Sequence, residues 1–246
     1  MMIKKTFALI LTFFLSQLLH AQEDSLQIEI TKDSFQNYRL HNLWEMGVSA
    51  NAYSGDLSSY DMWSSAFQMG LKFAKKKRWN AHFGLAIGNI RGENYTYEFE
   101  NESPNLTFRT NIFSLQFDLQ YNFIRKKHWI AYISQGLGFM RFMPKNEYGE
   151  KLQDILSSRE NNETYSNLSL IFPSSIGLIY LLKNGYGIGI NASILRSNTD
   201  YLDNISLWGK NSANDNILAY KFFVTIPSWK IRKFLLGDNI PKSTTR

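Results

Sequence analysis

Phe113-Ser114-Leu115-Gln116-Phe117-Asp118-Leu119-Gln120-Tyr121-Asn122-Phe123 alternates without a break between an apolar or aromatic residue and a polar one. A period of two is that of an extended strand, where successive side chains leave on opposite faces. The apolar row needs an apolar surrounding. The other row, with Asp118 flanked by Gln116, Gln120 and Asn122, is too polar for the inner face of a sandwich. A wall with lipid on one side and a packed polar lumen on the other satisfies both rows.

Working outward from this segment, the same alternation returns along the chain. It predicts strands over roughly Trp44 to Tyr53, Ser65 to Ala74, Trp79 to Gly88, Leu106 to Phe123, Trp129 to Phe142, Ser166 to Leu182, Tyr186 to Arg196 and Ile217 to Ser228. Pro173 cannot donate to a ladder, so a bulge or a later start is expected in the sixth segment. The predicted fold class is all-β: an eight-stranded antiparallel transmembrane up-and-down β-barrel after a cleaved signal peptide.

The connections alternate in length. Short ones cover Lys75 to Arg78, Arg125 to His128 and Lys183-Asn184-Gly185, the last holding an Asn-Gly hairpin signal. Long ones cover Ser54 to Ser64, Asn89 to Asn105, Met143 to Tyr165 and Ser197 to Asn216. Outer-membrane barrels show this pattern, with short periplasmic turns and long outer loops. Charge separates in the same way. Lys75, Lys76, Lys77, Arg78, Arg125, Lys126 and Lys127 crowd the short turns, and Lys230, Arg232 and Lys233 follow the last strand, whereas each long connection is net acidic. These basic residues are candidates for docking a periplasmic partner. Trp44, Trp79, Trp129 and Trp229, with Tyr121, Tyr180 and Tyr186, fall at the same ends of their strands and predict an interfacial aromatic girdle.

At the front, Lys4 and Lys5 precede an apolar run from Phe7 to Leu19 and then Leu19-His20-Ala21. That order reads as a signal peptide. The predicted organisation is therefore a signal peptide over 1–21, a periplasmic segment over 22–43, the barrel over 44–228 and a basic periplasmic tail over 229–246. Later stretches never reach the ~20 apolar residues of a spanning helix. The chain has no cysteine, which removes disulfides, thiolate chemistry and a lipoprotein anchor. Outer-membrane lipid is thus the expected surrounding and the outer membrane the expected location.

Strand parity places Glu45, Lys72, Asp118 and Lys221 on lumen-facing rows. Charges removed from water are costly unless paired. Glu45 is expected to meet Lys72 on the neighbouring strand, and Asp118 to meet Lys221 across the lumen, directly or through polar neighbours such as Gln116 and Gln120. An eight-stranded lumen is filled by side chains, which disfavours passage through it. His41, His82 and His128 cannot meet as a metal site, and no phosphate loop or serine elbow stands in a suitable context. Small barrels that hydrolyse lipid need a serine and histidine on the lipid face, whereas His82 has lumen parity. The expectation is a protein that is not an enzyme, with no cofactor, nucleic acid or small-molecule substrate.

Four motifs carry a family resemblance: Ser54-Gly55-Asp56-Leu57, Phe108-Arg109-Thr110-Asn111-Ile112, Gly136-Leu137-Gly138-Phe139-Met140-Arg141-Phe142-Met143-Pro144-Lys145 and Thr199-Asp200-Tyr201-Leu202-Asp203. In this order the sequence resembles the PorG-like outer-membrane β-barrel family of Bacteroidota, over about Trp44 to Ser228. The resemblance implies an eight-stranded barrel component of the type IX secretion system, associated with periplasmic secretion-ring proteins. It implies no catalytic residues. The alternative is a surface-exposed adhesion or ligand-binding barrel of OmpX type, working through its long loops.

Overall fold

A computed structural model of the chain describes residues 42–73, 78–95, 105–126, 128–160, 163–182, 185–209 and 214–228. The expected signal peptide, nearly all of the segment 22–43 and the tail from Trp229 onward lie outside the described residues, together with Lys75, Lys76, Lys77, Lys127, Lys230, Arg232 and Lys233.

Eight strands form: β1 (Leu43–Ser54), β2 (Ser59–Phe73), β3 (Trp79–Glu93), β4 (Thr107–Arg125), β5 (Trp129–Lys145), β6 (Leu168–Leu181), β7 (Gly187–Ser197) and β8 (Asn216–Pro227). Each pairs antiparallel with its sequence neighbour. The pairing of β1 with β8, from Leu43↔Pro227 to Ser54↔Asn216, closes the barrel. Closure leaves no sheet edge, as a membrane demands, because lipid offers no partner to a free N–H or C=O. Among the described residues no helix is long and apolar enough to cross a membrane; the strands make the crossing. Val48, Phe67, Phe83, Ile87, Phe117, Ile133, Phe139, Ile176, Ile190 and Phe222 stand exposed around the wall. A continuous apolar girdle on a closed barrel requires lipid outside it. The chain is an outer-membrane barrel.

Toward the loop end the two rows exchange character. Low on β4 the outward row is Leu115, Phe117 and Leu119, over inward Gln116, Asp118 and Gln120. Higher up it is Arg109 and Asn111, over inward Phe108 and Ile112. β3 and β5 do the same, with Arg91 outside beside buried Ile90, and Arg141 outside beside buried Met140 and Phe142. The lumen is consequently layered: polar at mid-height and apolar at the mouth.

This exchange explains where the predicted spans fall short. β2 starts before Ser65, β3 runs on to Glu93 and β5 to Lys145, so Arg91 and Lys145 move from expected loops onto the wall. The first long connection is not long: β1 and β2 are joined by a tight turn in which Gly55 N–H donates to Ser58 O at 3.0 Å. β6 begins at Leu168, two residues after the expected Ser166, and Pro173 within it produces no bulge. β6 runs through it in constant register, with the β5 ladder interrupted between Gln135↔Ser174 and Gly138↔Ile171.

Candidate functional site

Two clusters of polar chemistry lie inside the barrel, one at mid-height and one at the mouth. At mid-height Glu45, Lys72 and Asp118 are buried and Lys221 is partly so, all on inward rows. Their partners differ from those expected. Glu45 meets Lys221, Oε2 to Nζ at 3.1 Å, and also approaches His82 Nε2 at 3.5 Å. His82 Nδ1 lies 2.8 Å from Asp118 Oδ2, which also accepts from Gln116 Nε2 at 3.1 Å. Lys72 instead donates to Asn122 Oδ1 at 3.2 Å and sits 4.4 Å over the Tyr132 ring. Register is the reason. Lys72 stands opposite Leu43, while Glu45 stands opposite Gly70, so the ammonium reaches toward the turn end and away from the carboxylate.

Gly70 makes the His82 bridge geometrically feasible. A Cβ there would stand 2.4 Å from His82 Nε2, so a bare backbone at Gly70 lets the imidazole of β3 cross β2 and reach Glu45 on β1. Gly136 does the same for Asp118, whose Oδ1 would lie 2.0 Å from an added Cβ. Strand parity placed His82 in the lumen, but its role as the bridge was visible only once Gly70 stood opposite Glu45 and Gly136 opposite Asp118. The remaining cavity, about 40 Å³, is lined by His82, Gln116, Asp118, Tyr132, Asn191 and Lys221 among others. That is room for roughly three waters at ~10–15 Å³ each. Below it Ile130, Tyr132, Ile179 and Phe223 pack as an apolar layer.

The mouth is closed by the connections themselves. Leu57 from the first turn, Leu152 from the third connection, and Leu202 and Ile205 from the fourth pack onto Tyr53, Ile90, Phe108, Ile112, Met140, Phe142, Ile171 and Ile217 of the wall. All four motifs behind the family resemblance converge here, through Leu57, Phe108 with Ile112, Met140 with Phe142, and Leu202. Tyr53 and Phe108 meet edge to face at 4.8 Å. Thr110 Oγ1 donates to Leu202 O, and Asn105 Nδ2 to Asp203 O at 2.8 Å. Asn204 takes a left-handed φ of 75°. Its amide there donates to Ser158 Oγ at 3.0 Å and accepts from Arg159 Nη1 at 3.1 Å, joining the third and fourth connections.

Under this cap Tyr53 Oη lies 2.7 Å from Asp203 Oδ2 and 2.6 Å from Asp215 Oδ1. One hydroxyl proton cannot serve two carboxylates. The geometry therefore requires a carboxyl proton shared within the trio. Burial first, and then the charges of Asp56 and Asp200, push Asp203 up to about 7. Burial and the neighbouring Asp203 push Asp215 well above its ordinary 3.8. Among the described residues no group of histidine and acidic side chains is arranged to hold a metal ion.

The aromatic candidates gather at the turn end. Trp79 packs on Tyr121 at 4.9 Å, and Trp129 on Tyr180 at 4.7 Å. Tyr186 is exposed just before β7, and Trp44 is half-buried between Leu71 and Ile226. Arg78, Arg125 and Lys126 are exposed at that end, with Arg78 Nη1 donating to Tyr121 Oη at 3.0 Å. His128 Nδ1 lies 2.8 Å from Leu181 O, which holds the second turn to the third.

The sequence matches no protein-family model and no curated protein. Solved structures similar in fold include Neisserial surface protein A (11% identity, 76% of this chain and 96% of that one, TM-score 0.49). Ail, the attachment invasion locus protein of Yersinia pestis, is similar at 10% identity over 75% and 96%, TM-score 0.45. The outer membrane protein OprG of Pseudomonas aeruginosa is similar at 9% over 75% and 94%, TM-score 0.43.

Proposed function

We propose that this chain is a non-enzymatic docking component of the outer membrane, working within a protein secretion machinery of the type IX kind. One observation carries the docking reading: the lumen is filled, with apolar layers above and below a water-sized cavity. A barrel without a passage acts through its ends and its outer wall. The four motifs that resemble PorG-like barrels support the secretion reading. In this reading the turn end is periplasmic, the aromatic pairs Trp79–Tyr121 and Trp129–Tyr180 mark its membrane interface, and Arg78, Arg125 and Lys126 face an acidic surface of a secretion-ring protein. A photo-crosslinking residue at Arg125 in intact cells is expected to capture a periplasmic secretion component. No capture there, with secretion unchanged when the barrel is deleted, would overturn the proposal.

A second reading, adhesion or ligand binding at the loop end, is favoured by Tyr148, Leu156 and Leu207, which are 80%, 75% and 65% exposed on the cap. Large apolar side chains held outward on a built surface suit a contact face. Crosslinks from Leu156 to an external partner, with none from Arg125, would select this reading.

A further inference from the structure

The outer wall carries a basic row that has no ion-pair partner among the described residues. Arg91 of β3 stands directly across the ladder from Arg109 of β4, and Arg109 directly across from Lys145 of β5. Arg141 lies four positions nearer the turn end than the row, opposite Phe113. All four are on the outward face; Arg91, Arg109 and Arg141 are exposed and Lys145 is partly so. Side chains directly opposite on one face stand ~5 Å apart at Cβ, where like charges destabilise the pairing. Among the described residues none of the four has an ion-pair partner; the three ion pairs recorded there all lie in the lumen. Glu93, two positions beyond Arg91, is the nearest acid on the strand and makes none.

Height on the wall identifies what can sit against this row. The Trp79–Tyr121 pair lies twelve positions below Arg91 and Arg109. At ~3.3 Å per residue and a tilt of ~40°, that separation is about 30 Å along the barrel axis, against an apolar band about 25 Å tall. The row therefore sits just past the far edge of the hydrocarbon, at head-group level. Arg141 starts within the band and can reach that level along its stem. Paired guanidinium forks match phosphate oxygens in geometry and charge, and a phosphate between them turns the repulsion into attraction.

We propose that Arg91, Arg109, Lys145 and Arg141 form a binding site for the phosphorylated head group of an anionic lipid in the leaflet at the loop end. The test uses the full barrel in phosphatidylcholine vesicles, alone or supplemented with bis-phosphorylated lipid A, with its dephosphorylated form, or with free inorganic pyrophosphate. The unfolding midpoint is expected to rise by roughly 2–4 °C with phosphorylated lipid A alone. Arg109→Gln removes the central cation. It should abolish that rise while leaving the barrel at least as stable as the native chain in phosphatidylcholine alone, since the like-charge contacts are gone. Arg196→Gln, on the outward face of β7 opposite Phe172, should keep the rise. The proposal is overturned if Arg109→Gln responds as the native chain does, if the dephosphorylated lipid gives the same shift, or if free pyrophosphate does. A self-association that neutralises the row without lipid would also overturn it.

Discussion

The mid-height layer and the mouth of this barrel solve one problem, filling a narrow lumen, in opposite ways. At mid-height the wall alone supplies charged and amide side chains, which Glu45, His82, Asp118 and Lys221 tie across four strands. At the mouth the wall supplies apolar side chains, and the connections bring the rest. The first arrangement is built into the ladders and cannot loosen without opening the barrel. The second rests on segments outside the ladders, so it can open locally while the strands stay paired.

Asp118→Ala tests this difference most severely. It removes the partner of His82 Nδ1 in a buried layer, and breaking a buried pair typically costs ~3–5 kcal/mol. Urea unfolding in vesicles should show that loss for the whole barrel. A barrel as stable as the native chain would mean that the layer is not held by charge. Leu202→Ala removes a fully buried side chain from the cap, a change that costs about 2–5 kcal/mol in a packed core. The cost should appear as faster hydrogen exchange over residues 198–209, with barrel unfolding nearly unchanged. A matching drop in barrel stability would show cap and wall to be one cooperative unit.

Gly70→Ala sharpens the comparison from the other side. The added methyl would push His82 off Glu45, at a cost of about 1–3 kcal/mol for overpacking, and cap exchange should not respond. Equal loss from Gly70→Ala in a His82→Ala background would remove His82 as the cause.

The smallest effect belongs to pH. Asp203 is raised from 3.8 to about 7, and Asp215 is raised with it. Carboxyls raised on folding stabilise the cap fully below about 4, and that contribution is lost as pH rises through about 7. The groups facing the pair are Tyr53 from β1, Asp56 from the first turn and Asp200 from the fourth connection, so deprotonation adds charge to an already acidic surrounding. Protection over residues 198–209, taken relative to intrinsic base-catalysed exchange, should therefore fall between pH 5 and 8. Asp203→Asn, whose amide can donate to Tyr53 Oη without titrating, should flatten the profile. A native profile that is already flat would refute the shared proton.

Much of the barrel was legible from alternation alone. The row from Phe113 to Phe123 implied a lipid face and a lumen face, and the other strands followed it at mid-height. Reading failed where polarity inverts. Asn89 and Arg91 looked like loop because the outward row had turned polar, although Ile90 was still alternating with them. The lumen partners failed for a different reason. Parity assigns a face, but the meeting of Glu45 with His82 depends on Gly70 lying between them, which is a fact of register across three strands.

What the sequence determined by itself was the periodicity: eight amphipathic strands, short basic turns, acidic connections and, after the leading apolar run, no stretch apolar and long enough for a spanning helix, because each is a local property of consecutive residues. Tertiary structure alone decided the partners. Leu57, Phe108, Phe142 and Leu202 are far apart along the chain and converge only when β1 closes on β8. Likewise, Arg91, Arg109 and Lys145 align only through the ladder registers. Contacts between distant residues are set by register and closure, and no short stretch of sequence contains either.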